Sequence, residues 1–262
     1  MTETLEILVL NFAIIVGCMV LLWLISIPLK DVSFIDSFWA LGCVLLAVST
    51  YFLSSGTPDR KLLILALTAA WGLRLGGYIF WRWQHEGADG RYVALLKKAQ
   101  GNVNLFSLRK VFLLQAPLLW ITSLPAQMGQ IPAEPVSLGV LAAIGTALAL
   151  VGIFFETVGD WQLARFKNDP DNHGKVMDRG LWRYTRHPNY FGDACVWWGI
   201  FLVAAETKFG FLSIFGPLFL TFTLVKWSGA ALLERRMKRS RPGYEDYVRR
   251  TSGFLPWPPK KA

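Results

Sequence analysis

Residues 136–167 read VSLGVLAAIGTALALVGIFFETVGDWQLARFK. Positions 136–155 carry no charge, and then Glu156, Asp160, Arg165 and Lys167 follow in quick succession. An amphipathic helix of a soluble protein returns to polar residues every three or four positions. This run does not, and it has the length of about 20 residues that a bilayer requires. Comparable runs lie at roughly 5–29, 34–54, 61–83, 108–128, 190–206 and 209–232, which with 136–160 makes seven predicted spans. The whole chain agrees. Of its 262 residues 53% are hydrophobic and only 17% charged, against about 25% charged in a soluble domain. The expected fold class is therefore all-α, a polytopic membrane protein, as one membrane-embedded domain over residues 1–262. Pro117 and Pro125 fall inside one span, which a membrane helix tolerates when neighbours satisfy the freed carbonyls.

The basic residues test this division. Arg91, Lys97 and Lys98 lie between the third and fourth spans, flanked by Arg82, Arg109 and Lys110. Arg165, Lys167, Lys175, Arg179, Arg183 and Arg186 lie between the fifth and sixth, and the tail holds Arg235, Arg236, Lys238, Arg239, Arg241, Arg249, Arg250, Lys260 and Lys261. The opposite loops offer only Arg60, Lys61 and Lys208, and QMGQIPAEP (127–135) offers none. Positive residues stay inside, so the N-terminus is expected outside and the C-terminus in the cytoplasm. The net charge of +9 then reads as a topology signal and calls for no nucleic acid. The opening MTETLE has no basic residue before Lys30, unlike a secretory signal. Cys18, Cys43 and Cys195 sit singly in apolar runs and form no disulfide framework.

Ionisable groups inside spans cost roughly 2.5–3.5 kcal/mol each on insertion scales, so they face a bundle interior or a wet cavity and mark candidate sites. Asp36 in SFIDSFWAL, Arg74 in WGLRLGGYIFW, and Glu156 with Asp160 are such groups. Each could equally serve an internal ion pair that fixes packing. Trp71, Arg74 and Tyr78 stand at i−3, i and i+4 and share one helix face. Gly76 and Gly77 beside them are expected to admit a close backbone or ligand.

The segments HEGADGRY (85–92), RFKNDPDNHGKVMDRGLWRYTRHPNY (165–190) and LLERRMKRSRPGYEDYVRRTSGF (232–254) mix cations with Asn, Tyr and acids. Guanidinium groups suit phosphates, and carboxylates or amides suit ribose and base. No G-x-G-x-x-G after a strand and no P-loop is present. His85, His173 and His187 show no metal-ligand spacing, so no metal is expected.

DVSFIDSFWAL (31–41), WGLRLGGYIFWR (71–82), GADGRY (87–92), GDWQLARFK (159–167), RHPNYFGD (186–193), LLERRM (232–237) and RPGYEDYVRRTSGFLP (241–256) together resemble the steroid 5-alpha-reductase family in its bacterial branch. The resemblance covers most of the chain. RHPNY is shared with sterol reductases and isoprenylcysteine carboxyl methyltransferases, and the other segments add the specificity. It implies a seven-helix, monomeric enzyme of the cytoplasmic membrane that reduces the C4–C5 double bond of a 3-oxo-Δ4 steroid or similar enone lipid with NADPH. On this resemblance residues 1–130 form mainly the substrate side and 150–262 mainly the cofactor side. Asp36, Trp71 and Tyr78 are the expected catalytic group. Arg74, Arg91, Asp160, Arg165, Lys167, Lys175, Arg186, His187, Asn189, Tyr190, Asp193, Glu234, Arg235, Tyr247, Arg249 and Arg250 are the expected cofactor residues. Animal members carry Glu at the position of Asp193, Gln-Glu at Ile35-Asp36 and Tyr at Trp71.

The implied chemistry needs a donor at the enone oxygen, where negative charge develops. Asp36, kept protonated by an apolar setting, is the expected donor. The alternative is an S-adenosylmethionine-dependent methyltransferase of the isoprenylcysteine type. That family tends to carry Glu-Glu where this chain has Glu234-Arg235. A non-catalytic lipid binder that keeps the fold is a third reading.

Overall fold

The computed structural model describes residues 2–227 and 229–260. Ser228, within the predicted span 209–232, and Lys261, among the tail cations, lie outside the described residues. Helices dominate, and the described residues contain no strand beyond one isolated parallel bridge between Thr185 and Ser252. Among the described residues, six helical segments are long and apolar enough to cross a membrane: Thr2–Leu29, Ile35–Leu53, Pro58–Glu86, Val103–Thr122, Val140–Asn168 and Gly210–Trp227. The chain is thus an all-helical, multi-pass membrane protein. The predicted span 190–206 is a helix of 17 residues, Pro188–Ala204, short of the length of about 20. It starts two residues earlier than predicted, because the polar RHPNYFGD segment supplies its first turns.

The chain divides into two compact units, Met1–Ala143 with Ile200–Gly216, and Ile144–Gly199 with Pro217–Ala262. The first contains α1 (Thr2–Leu29), α2 (Ile35–Leu53), α3 (Pro58–Glu86) and the short α4 (Gly90–Leu96). The next helical segment is not continuous. It runs as α5 (Val103–Ser107), a π turn over Leu108–Phe112, α6 (Leu113–Thr122) and α7 (Leu124–Met128). Lipid tails are as apolar as leucine, so small residues and close backbone approach, not water exclusion, hold such helices together. A Cβ on Gly72 would lie 2.4 Å from Val44 Cγ2 and 2.9 Å from the Ala40 carbonyl oxygen, and one on Gly76 would lie 2.8 Å from Leu41 Cγ. These two glycines, one helical turn apart, set the contact of α3 on α2. Gly77 differs from the expectation: nothing lies within 4 Å of a Cβ there, because one residue along a helix turns it by about 100°.

The second unit carries most of α8 (Val140–Asn168) and α9 (Pro188–Ala204), with α10 (Phe215–Phe222), a π turn over Thr223–Trp227, α11 (Ala230–Ser240) and α12 (Tyr244–Arg250). Here the small-residue seam is reciprocal. A Cβ on Gly152 would sit 2.5 Å from the Gly192 carbonyl oxygen, and one on Gly192 would sit 2.5 Å from that of Gly152. Gly199 meets the Gly145 carbonyl oxygen at 2.4 Å in the same sense. Gly145, Gly152 and Gly159 recur at sevens, so one stripe of α8 lies flat on α9. Glu156 falls on this stripe and is only 2% exposed.

Gly72→Ala forces a Cβ into the backbone of α2, so it is expected to lower stability by about 1–3 kcal/mol. Gly77→Ala is expected to be neutral or to stabilise by up to about 1 kcal/mol. Thermal unfolding of the two purified variants in one detergent separates them, and equal losses would contradict the seam.

Candidate functional site

Two polar clusters emerge, one in each unit. In the first, DVSFIDSFWAL and GADGRY are knitted together. Asp31 closes a turn by accepting from the Ser33 amide at 2.8 Å, and also accepts from the Ser33 hydroxyl. The Trp83 indole N–H donates to its other oxygen at 2.7 Å. The Ser33 hydroxyl in turn accepts from the Asp89 amide at 2.9 Å. Asp89 caps α4 by accepting from the Arg91 amide at 2.8 Å, and it receives the Arg91 guanidinium at 3.1, 3.0 and 2.8 Å. Burial opposes ionisation of Asp89, but these hydrogen bonds and the Arg91 charge outweigh it and hold the carboxyl below its usual range. The Asp89 bonds hold Arg91 firmly protonated.

This loop delivers two donors to Asp36. Arg91 Nη2 donates to Asp36 Oδ2 at 2.8 Å, and the Tyr92 hydroxyl donates to Oδ1 at 2.5 Å. Gln115 Nε2 donates to the Tyr92 oxygen at 3.2 Å. Burial first, and then the Asp36 charge, push the Tyr92 phenol well above its ordinary pKa. The setting of Asp36 is therefore half polar, unlike the wholly apolar one expected from sequence. Trp71 is fully buried. Arg74 and Tyr78 are half-buried, and Tyr78 stacks on Trp81 with ring centroids 6.2 Å apart. Tyr92, Gln115 and Asp31 were missed by sequence reasoning. A tyrosine 56 positions from its carboxylate gives no local signal.

The second cluster is organised by Glu234. Its carboxylate accepts from Arg186 Nε at 2.8 Å and Nη2 at 3.2 Å, with His187 Nε2 at 2.9 Å from Oε1. Arg186 Nη1 donates to the Val248 and Thr251 carbonyl oxygens at 3.2 and 2.6 Å. Four of the five guanidinium donors are thus committed within the protein. The segment after α12 is held along the motif by further bonds. The Arg186 amide donates to the Ser252 carbonyl at 2.9 Å, the Thr185 hydroxyl to that of Phe254 at 2.8 Å, and the Trp257 amide to that of Tyr184 at 3.0 Å. The Tyr247 hydroxyl donates to the Trp182 carbonyl at 2.5 Å. Arg186, Glu234 and Tyr247, expected to touch a cofactor, serve first as struts. Burial works against ionisation of Glu234, but the bonds from His187 and Arg186 hold its carboxyl down at about 2.

Around this frame, Asn189 Nδ2 donates to Asp160 Oδ1 at 3.2 Å. Tyr190 stacks on His187, with ring centroids 5.3 Å apart and 6° between the planes. Asp160 and Asp193 are buried, at 6% and 7% exposure. Arg165, Lys167, Lys175, Arg235, Arg249 and Arg250 are exposed. Arg165 lies over the Trp161 ring at 5.7 Å, Arg250 donates to Asp178 at 2.7 Å, and Arg249 pairs with Asp246. The second unit therefore carries both buried acid–amide groups and exposed cations, residue types that suit a phosphorylated nucleoside.

Residues 22–251 match a family described as a protein of unknown function, DUF1295, and the chain belongs to that family. An uncharacterized protein of Schizosaccharomyces pombe is 24% identical over 275 residues, covering 90% of this chain and 75% of its own length. No solved structure matches.

The depressed Glu234 pKa makes a signed prediction. The ordinary value is 4.5, so the clamp's contribution is fully present above that pH and is lost as pH falls from there towards about 2. Glu234→Gln is expected to lower the melting temperature at about pH 7. Its further loss on acidification to about pH 3 should be smaller than that of the wild type. Parallel decline of the two proteins would contradict the clamp.

Proposed function

We propose that this member of the DUF1295 family is an NADPH-dependent reductase of an enone double bond in a lipophilic substrate of the steroid class. The observation that carries the reading is the Tyr92–Asp36 hydrogen bond of 2.5 Å, built by two motifs 56 positions apart and flanked by Arg91 and Gln115. An enone gains negative charge on its oxygen during reduction, and a preorganised donor at that oxygen lowers the barrier. Asp36 and Tyr92 together offer a hydrogen-bond donor to that oxygen: the Asp36 carboxyl when protonated, or the Tyr92 hydroxyl turned from Asp36 to the substrate. Arg91 orients the Asp36 carboxyl, and Gln115 fixes the phenol oxygen. The buried Trp71 and the half-buried Tyr78 on α3 would supply the apolar side of a fused-ring lipid's site.

The donor set of the second unit fits NADPH by its chemistry. Arg165, Lys167, Lys175, Arg235, Arg249 and Arg250 would hold the phosphates, the 2′-phosphate included, and Asp160, Asn189, Tyr190 and Asp193 would hold the ribose and nicotinamide end. Arg186, His187 and Glu234 keep that surface in register. Bound NADPH would supply the hydride. In this reading α9 makes a seventh crossing, the basic segments face the cytoplasm, and the membrane is a bacterial cytoplasmic membrane.

Turnover of a 3-oxo-Δ4 steroid with NADPH tests the donor pair. Asp36→Leu is expected to abolish turnover while leaving NADPH binding intact, and Asp36→Asn to keep part of it. Tyr92→Phe is expected to cost about 10²–10³ in kcat. Full activity in Asp36→Leu would end the proposal.

A further inference from the structure

At the loop end of the fourth membrane helix, within the first unit, a cleft of about 260 Å³ is lined by Gln100, Asn102, Leu105, Phe106, Arg109 and Lys110. None of these residues enters the reductase reading. We propose that this cleft holds the phosphate headgroup of an anionic phospholipid.

The lining chemistry points to an anion. Arg109 and Lys110 can only donate. The Asn102 side-chain oxygen is already occupied, accepting from the Asn104 and Leu105 amides at 2.9 and 3.1 Å. What Asn102 has left is its NH₂ donor group. No carboxylate lines the cleft, so nothing there repels a phosphate or neutralises the two cations. The local backbone produces the arrangement. Arg109 and Lys110 belong to the π turn Leu108–Phe112, and a π turn of this kind recurs at functional positions in helices. Both cations are exposed, whereas Val111 and Phe112 just beyond them are buried.

The position and the other wall point to a lipid rather than a soluble anion. The cleft opens where the membrane-length segment Val103–Thr122 begins, which is headgroup depth for a bilayer. Leu105 is 48% exposed and shares the lining with Phe106. The end of α1 runs alongside, pinned by the Trp23 indole N–H, which donates to the Asn104 carbonyl at 2.8 Å. Leu24, Ile25 and Leu29 on that end of α1 are also exposed. A polar cup beside exposed apolar side chains suits a phosphodiester with acyl chains and does not suit free phosphate. Basic pockets at the membrane surface bind anionic headgroups in this manner.

The probe is phosphatidylglycerol, with phosphatidylcholine as the uncharged reference, and the readout is lipid retained on the full-length protein by native mass spectrometry. The wild type is expected to retain phosphatidylglycerol over phosphatidylcholine. Arg109→Gln with Lys110→Gln is expected to reduce that retention by about tenfold or more. Lys97→Gln with Lys98→Gln removes the same charge from the neighbouring loop and is expected to leave retention unchanged. Arg109→Lys with Lys110→Arg keeps the charges and should retain the lipid, which guards against misreading a folding defect. Equal loss in the loop pair, or full retention in the cleft pair, would overturn the proposal. Displacement of the lipid by millimolar inorganic phosphate would assign the cleft to a soluble anion and overturn it as well.

Discussion

One carboxylate organises the second unit. Glu234 accepts from both Arg186 and His187, and Arg186 passes the constraint on to the carbonyls of Val248 and Thr251. Glu234 is partly shielded, at 18% side-chain exposure, so its charge is worth more than at a fully exposed surface pair. Removing it would strand a guanidinium and an imidazole in a confined space and release the segment after α12. The stack of Tyr190 on His187 and the exposed cations of α12 depend on that frame. The polar residues of RYTRHPNYFGD are therefore divided in labour: some build the frame, and the rest are presented by it.

The first unit follows the same rule in different chemistry. Where the spans meet their loops, the polar groups are again held by protein partners. Asp31 takes a backbone amide, a hydroxyl and an indole; Asp89 takes a guanidinium; Asp36 takes the other edge of that guanidinium and a phenol. The result ties the start of α2 to the loop after α3 and leaves a phenol donating to the Asp36 carboxyl. The glycines at 72 and 76 permit α2 and α3 to lie close enough for this loop to reach Asp36.

The apolar runs made the helices legible, because bilayer thickness fixes how long such a run must be. Asp36 and Asp160 were legible as candidates because ionisable residues within spans are costly without a purpose, whereas Asn189 and Glu234 were named only through the family resemblance. What they pair with was not. Tyr92 is 56 positions from Asp36, and Arg186 is 48 positions from Glu234; both pairings are set by tertiary packing. Arg186 carries the same charge as Arg235, yet one is a strut and the other is exposed. Composition cannot tell these apart. The offset of α9 from its predicted bounds was hidden, since RHPNYFGD yields Pro188 and Asn189 to the helix rather than to the loop before it.

The central claim is that the second unit is built to hold a phosphorylated nicotinamide cofactor. The most direct test is to titrate the detergent-purified protein with NADPH, NADH and S-adenosylmethionine separately and follow thermal unfolding, since a ligand of the folded state raises the melting temperature with concentration. The account predicts stabilisation by NADPH, weaker stabilisation by NADH, and none by S-adenosylmethionine. Stabilisation by S-adenosylmethionine alone would contradict it and assign the site to methyl transfer.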